Sequence, residues 1–245
     1  ASVVVDLSTV QYADASNGGA IFISESSSLK FSNSLIYSAS AVMNGGAIAI
    51  VAMSHLLVES SKFDNSKAEE GGHISVSEGS NLRVRDSIFL AGHAVRKGGG
   101  VSVNSKSVAT FHTAIFDSNF GVYGGAIFSD GCTVYVSKST FMKNSAGELG
   151  YGGAIYIEKV ATLHLNESVL ANNFAAFGGT WYLTQVSTGI VRDSSFQYNE
   201  AMFDAGGMFI DNSYAFIHNS NFLGNEARDN GGGIMLSTGA NMQII

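Results

Sequence analysis

Residues 141–157 read FMKNSAGELGYGGAIYI, and the plan of the whole chain is visible in this stretch. Phe141 and Asn144 stand three apart, Ala146 follows as a small residue, Gly152 and Gly153 form a pair, and Ile155 and Ile157 flank Tyr156. A glycine pair marks a tight corner, and the alternation after it predicts a strand with one buried face. Laid against the rest of the chain, the pattern recurs. Glycines stand at Gly19, Gly46, Gly72, Gly99, Gly125, Gly153, Gly179, Gly206 and Gly232, at intervals of 26 to 28 residues.

An apolar pair spaced by two follows most of these glycines, as in Ile48 and Ile50, Ile74 and Val76, or Trp181 and Leu183. A second alternating pair comes next, for example Leu82 and Val84 or Leu163 and Leu165. Five residues on lies a third apolar column: Val10, Ile36, Phe63, Phe89, Phe116, Phe141, Leu170, Phe196 and Phe222. Serines such as Ser61 and Ser87 stand two positions before it, with Ala114 the exception, and alanines such as Ala68 and Ala94 stand five after it, with Gly121 in the one gap. The last five coils add Asn119, Asn144, Asn173, Asn199 and Asn225, which are placed to stack and hydrogen-bond from coil to coil. Identical chemistry held in register nine times is the mark of a solenoid. The predicted fold is all-β: a right-handed parallel β-helix of about nine coils, on the order of 43 Å long at about 4.8 Å per coil.

The units GGAI (Gly18 to Ile21, Gly45 to Ile48, Gly124 to Ile127, Gly152 to Ile155) and FxxN (Phe116 to Asn119, Phe141 to Asn144, Phe196 to Asn199, Phe222 to Asn225) resemble the repeat of the chlamydial polymorphic outer-membrane proteins. The resemblance covers nearly the whole chain, although the first four coils lack FxxN. It implies a secreted or surface β-helix with a role in adhesion. The repeat specifies how a coil turns, and a fold alone does not fix a function.

Composition narrows the classes. The 245 residues carry 13 Lys and Arg against 20 Asp and Glu, a formal charge of −7, so nucleic acid is not an expected partner. Proline is absent, which leaves the turns to Gly, Asn, Asp and Ser. The single cysteine, Cys132, lies in a turn without a partner for a disulfide and reads as a buried or incidental thiol. No run of 18 apolar residues offers a transmembrane segment. The chain begins and ends within a repeat, and the expectation is one β-helix domain over residues 1–245 of a longer polypeptide.

Right-handed β-helices also carry polysaccharide-cleaving enzymes, whose sites need clustered carboxylates, often beside a cation. The nearest approach is the outward column holding Lys138, Glu167 and Asp193, expected as surface ion pairs rather than a catalytic set. Of the six histidines only His112 and His218 share a column, and no metal or other cofactor is expected.

One outward column breaks the expected polarity. Between the two buried positions of the first strand stand Phe128, Tyr156, Tyr182, Phe209 and Met235, an apolar stripe that is the candidate partner-binding surface. Chain covering the stripe, a protein partner or second copy, and stacking on glycan rings are the alternatives. Tyr123, Tyr151 and Phe177, at the adjoining corner, are candidates for glycan stacking if exposed and coplanar, and Asn166 in Asn166-Glu167-Ser168 is the one N-glycosylation sequon. The expectation is a structural or adhesive protein, extracellular or at the cell surface, that makes protein contacts or self-associates and is not an enzyme. The alternative is a carbohydrate-binding module, or a polysaccharide lyase or hydrolase of the pectin-lyase-like class.

Overall fold

The computed structural model describes all 245 residues, and every regular element in it is a β-strand. Each coil runs through a short strand after the glycine pair (Ile74–Val76), a five-residue strand (Asn81–Arg85), a three-residue strand (Ile88–Leu90) and a corner strand (His93–Lys97). Corresponding strands of successive coils pair in parallel, giving one sheet of ten strands and two of nine. The corner strands form two four-stranded sheets. These are separated at Phe120 and Tyr123, where only isolated bridges link the coils, beside the Gly121 that interrupts the alanine column.

The corners explain the repeat. Between the five-residue and three-residue strands one residue per coil, from Leu7 to Asn219, takes a left-handed conformation with φ of 43 to 52°. In the glycine pair the first member, such as Gly152 at φ 66°, is left-handed as well. Its neighbour has a different reason to be glycine: a Cβ on Gly153 would lie 2.1 Å from the carbonyl oxygen of Gly179 in the next coil. One glycine turns the chain and the other lets two backbones touch. Ala205, at φ 60°, takes the turning role in the one coil that lacks the first glycine.

Inside, like stacks on like. The rings of Phe63, Phe89, Phe116 and Phe141 lie nearly parallel with centroids 4.7 to 5.1 Å apart. Volume is exchanged between columns where a coil departs from the pattern. Trp181, fully buried, leans over Gly189, where a Cβ would come within 2.8 Å of the indole. Burial of each large apolar side chain contributes roughly 1.5 to 3 kcal/mol.

Polar ladders run beside the apolar columns. Asn144 Nδ2 donates to Asn173 Oδ1 at 3.0 Å and to the Phe116 carbonyl at 3.0 Å, while its Oδ1 accepts from the Asn119 amide at 3.1 Å. The same bonds join Asn119, Asn173, Asn199 and Asn225, and all but the last are buried. The serine column works likewise: the Ser139 amide donates to Ser168 Oγ at 3.1 Å, and that hydroxyl donates to the Asn166 carbonyl. The asparagine ladder ends at Gly92, whose amide donates to Asn119 Oδ1. The place of the next asparagine is taken by the imidazole of His73, since a Cβ on Gly92 would lie 2.5 Å from that ring.

Candidate functional site

The five stripe residues fall in strict register on the post-glycine sheet, Phe128 opposite Tyr156, then Tyr182, Phe209 and Met235. They do not form an open surface. Phe128, Tyr156 and Phe209 are 0%, 6% and 7% exposed, and Tyr182 and Met235 are partly buried. The cover is the residue just before each glycine pair, a column running Glu70, Lys97, Tyr123, Tyr151, Phe177 and Asp204 through paired coils. This column lies across the stripe one coil on: Tyr123 meets Tyr156, Tyr151 meets Tyr182 and Phe177 meets Phe209 edge to face.

The two columns are matched in size and chemistry. Where the inner residue is small, as at Ser102, the cover is polar: Asn104 Nδ2 reaches Ser102 Oγ at 2.9 Å and Glu70 Oε2 at 3.4 Å. Lys97 Nζ sits 4.6 Å from the Phe128 ring centre and 3.5 Å from Glu70, closing one end with a cation–π contact. Beyond it both columns are aromatic as far as Phe177 and Phe209. Phe128, Tyr156, Tyr182 and Phe209 stack with centroids 4.8 to 5.6 Å apart. Tyr123, Tyr151, Phe177 and Phe203 form an outer stack at 5.2 to 5.8 Å. The stacks meet edge to face, Tyr151 against Tyr182 at 5.1 Å and 77°. Burial pushes the Tyr156 and Tyr182 hydroxyls up from the ordinary phenol range, and Tyr156 Oη donates to Glu158 at 3.2 Å. These phenols stay neutral and do not serve as bases.

The geometry bears on the glycan alternative. A sugar needs the free face of a ring, but Tyr151 is stacked between Tyr123 and Phe177. They are parallel rather than coplanar. The exposed apolar feature of this region was not apparent from periodicity: a register shift in the strand Ser145–Tyr151 pushes out Leu149, 84% exposed, two residues from Tyr151. The 28-residue interval between Gly125 and Gly153 was its only trace in the sequence.

The other candidates sit as follows. Glu167 pairs with Lys138 at 3.7 Å with both side chains half exposed, and Asp193 accepts from Asn219 Nδ2 at 2.6 Å, so the carboxylates are engaged separately. Cys132 occupies a place in a second serine column, its Sγ donates to the Asp130 carbonyl, and burial pushes the thiol up to about 11, leaving no nucleophile at neutral pH. Asn166 is partly buried and donates to Glu167 Oε1 at 2.8 Å, while the sequon hydroxyl of Ser168 is buried in the serine ladder. The histidines are less scattered than the sequence suggested: His55, His112, His164 and His218 all project from the ten-stranded sheet, and His73 is buried.

The coils, the glycine corners and the parallel register define a class, and the chain belongs to the family of right-handed β-helix regions, whose family model matches residues 2–141. Within it, residues 138–158 match the Chlamydia polymorphic membrane protein repeat, the stretch that contains one FxxN and one GGAI unit. Among solved structures the chain is similar to PfbA, a surface adhesin of Streptococcus pneumoniae, at 13% identity, covering 95% of this chain and 70% of that one with a TM-score of 0.40. No curated protein matches significantly. No helix of the chain is long and apolar enough to cross a membrane.

Proposed function

We propose that the chain is a structural, adhesive rod of the cell surface or extracellular space, without catalytic activity, that associates side by side with further copies of itself. The observation that carries this reading is the outer aromatic stack with Leu149 beside it, a continuous apolar ridge over the later coils. The inner stack, Phe128, Tyr156 and Phe209, serves as the floor that fixes the ridge, and contact falls to Leu149, Tyr151, Phe177, Tyr182 and Phe203. A ridge parallel to the rod axis is self-complementary when two rods lie side by side, which suits a two-fold contact between identical chains. The match of one repeat to surface proteins supports the location.

Hydroxyl-radical footprinting across a concentration series tests the reading. Protection of Leu149, Tyr151 and Phe203 should grow with concentration while Tyr135 and Tyr214, on another sheet, stay reactive. Uniform reactivity at every concentration would contradict lateral contact through the ridge.

A further inference from the structure

The ten-stranded sheet presents an outward face that is distinct in charge from the rest of this acidic chain. Its strands carry four cations, Lys30, Arg83, Arg85 and Arg192, against two carboxylates, Asp6 and Glu59. Lys30 and Glu59 pair at 2.8 Å, and Asp6 is held by Ser32 and Asn33. The three arginines are exposed and make no ion pair. They are three of five in the sequence, and four of the six histidines share their face.

Two shallow troughs, of about 500 and 680 Å3, adjoin on this face and share Arg83 and Arg85. Lys30, His55, Glu59 and Asn81 also line the first, and Asp86, Thr110, His112 and Ser137 the second, so the arginines outweigh one carboxylate in each. His112 Nδ1 lies 2.9 Å from Ser137 Oγ. The flanking turns contribute Glu25, Glu78, Lys106 and Lys159 on one side and Asp86, Lys138, Glu167 and Asp193 on the other. Lys30 is held by Glu59, Lys138 by Glu167, and Lys159 by Asp130 and Glu158, so the cations of face and turns that make no ion pair are Arg83, Arg85, Arg192 and Lys106.

We infer that this trough binds a linear anionic glycan, sulfated or rich in uronic acid, laid across successive coils. Arginine recognises sulfate and carboxylate with two parallel hydrogen bonds, and the coil spacing sets such groups in a row along the rod. Asn81, Thr110 and Ser137 offer partners to sugar hydroxyls. No Phe, Tyr or Trp lines either trough, so the floor lacks the broad stacking platform that single-stranded nucleic acid uses. The face lies on a different sheet from the aromatic ridge, and its ligand is independent of side-by-side association.

Heparin, neutral dextran and a single-stranded oligonucleotide, titrated at pH 7.5 with the full chain, test the inference. Heparin should bind at least tenfold more tightly than the oligonucleotide, with no binding of dextran. Arg83→Ala with Arg85→Ala should remove heparin binding while leaving the circular dichroism spectrum unchanged. No heparin binding, binding indifferent to the arginine pair, or tighter binding of the oligonucleotide would each overturn it.

Discussion

Single residues in this fold are decided by what the next coil brings against them. Gly153→Ala places a methyl 2.1 Å from the Gly179 carbonyl and should cost about 3 kcal/mol in urea unfolding. Gly233→Ala, where nothing lies within 4 Å, should change stability by less than about 0.5 kcal/mol. Equal effects would mean that coil-to-coil contact is not what selects glycine. His73 illustrates the reverse case, a large polar ring in a site evacuated by Gly92. Both of its ring nitrogens lack a well-aligned hydrogen-bond partner, and it lies between Phe63 and Phe89 at 6.1 and 6.0 Å. Burial pushes it down to about 4, against smaller opposing effects of the Leu90 backbone and the Asn119 amide nearby. The unfolded chain, titrating near 6.5, therefore binds the proton first as pH falls. The folded state should keep its full margin above pH 6.5, lose about 3 kcal/mol between there and pH 4, and lose no more from this group below that. Chemical unfolding of the native chain and His73→Leu over this range checks it, since the variant should lack that part of the slope.

At the level of elements, the asparagine ladder shows how a buried polar column is made affordable by complete satisfaction. Asn144→Ala removes the partner of the Asn119 amide and of the Phe116 carbonyl inside the protein, and should cost about 3 kcal/mol. Asn225→Ala, at the partly exposed end of the ladder, should cost about 1 kcal/mol, because water replaces what is lost. Thermal melts of the two variants give the comparison, and equal losses would contradict a ladder whose strength depends on burial. The columns of Phe, Ser, Ala and Asn were all legible in the sequence, because each repeats every coil and side chains alternate strictly on a strand. Which way an outward residue is covered was not legible. Phe128, Tyr156 and Phe209 point away from the core as alternation requires, yet the column before the glycines folds over them; the column is periodic, but its period does not reveal that it crosses the stripe, which the path of the corner decides. The substitution of His73 for an asparagine was hidden for the same reason, since the two positions are nineteen residues apart in the sequence and meet only through the coil.

On the scale of the whole molecule the chain is a stack in which each coil touches only its neighbours, so that stability accumulates along the rod and the sides remain free for contact. The sides are not alike. One carries the aromatic ridge over coils five to eight, and another the arginine and histidine trough over the earlier coils. Lateral association through the ridge predicts that polar substitution at its crest separates the copies without unfolding the rod, whereas substitution of the buried floor residues Tyr156 and Phe209 lowers stability as well. The most direct measurement is sedimentation velocity of the native chain beside Leu149→Glu with Phe203→Ser, both shown folded by circular dichroism, over a wide concentration range. Concentration-dependent association of the native chain and a monomeric variant is the predicted result; a native chain that remains monomeric at its highest soluble concentration, or a variant that associates equally, would contradict it.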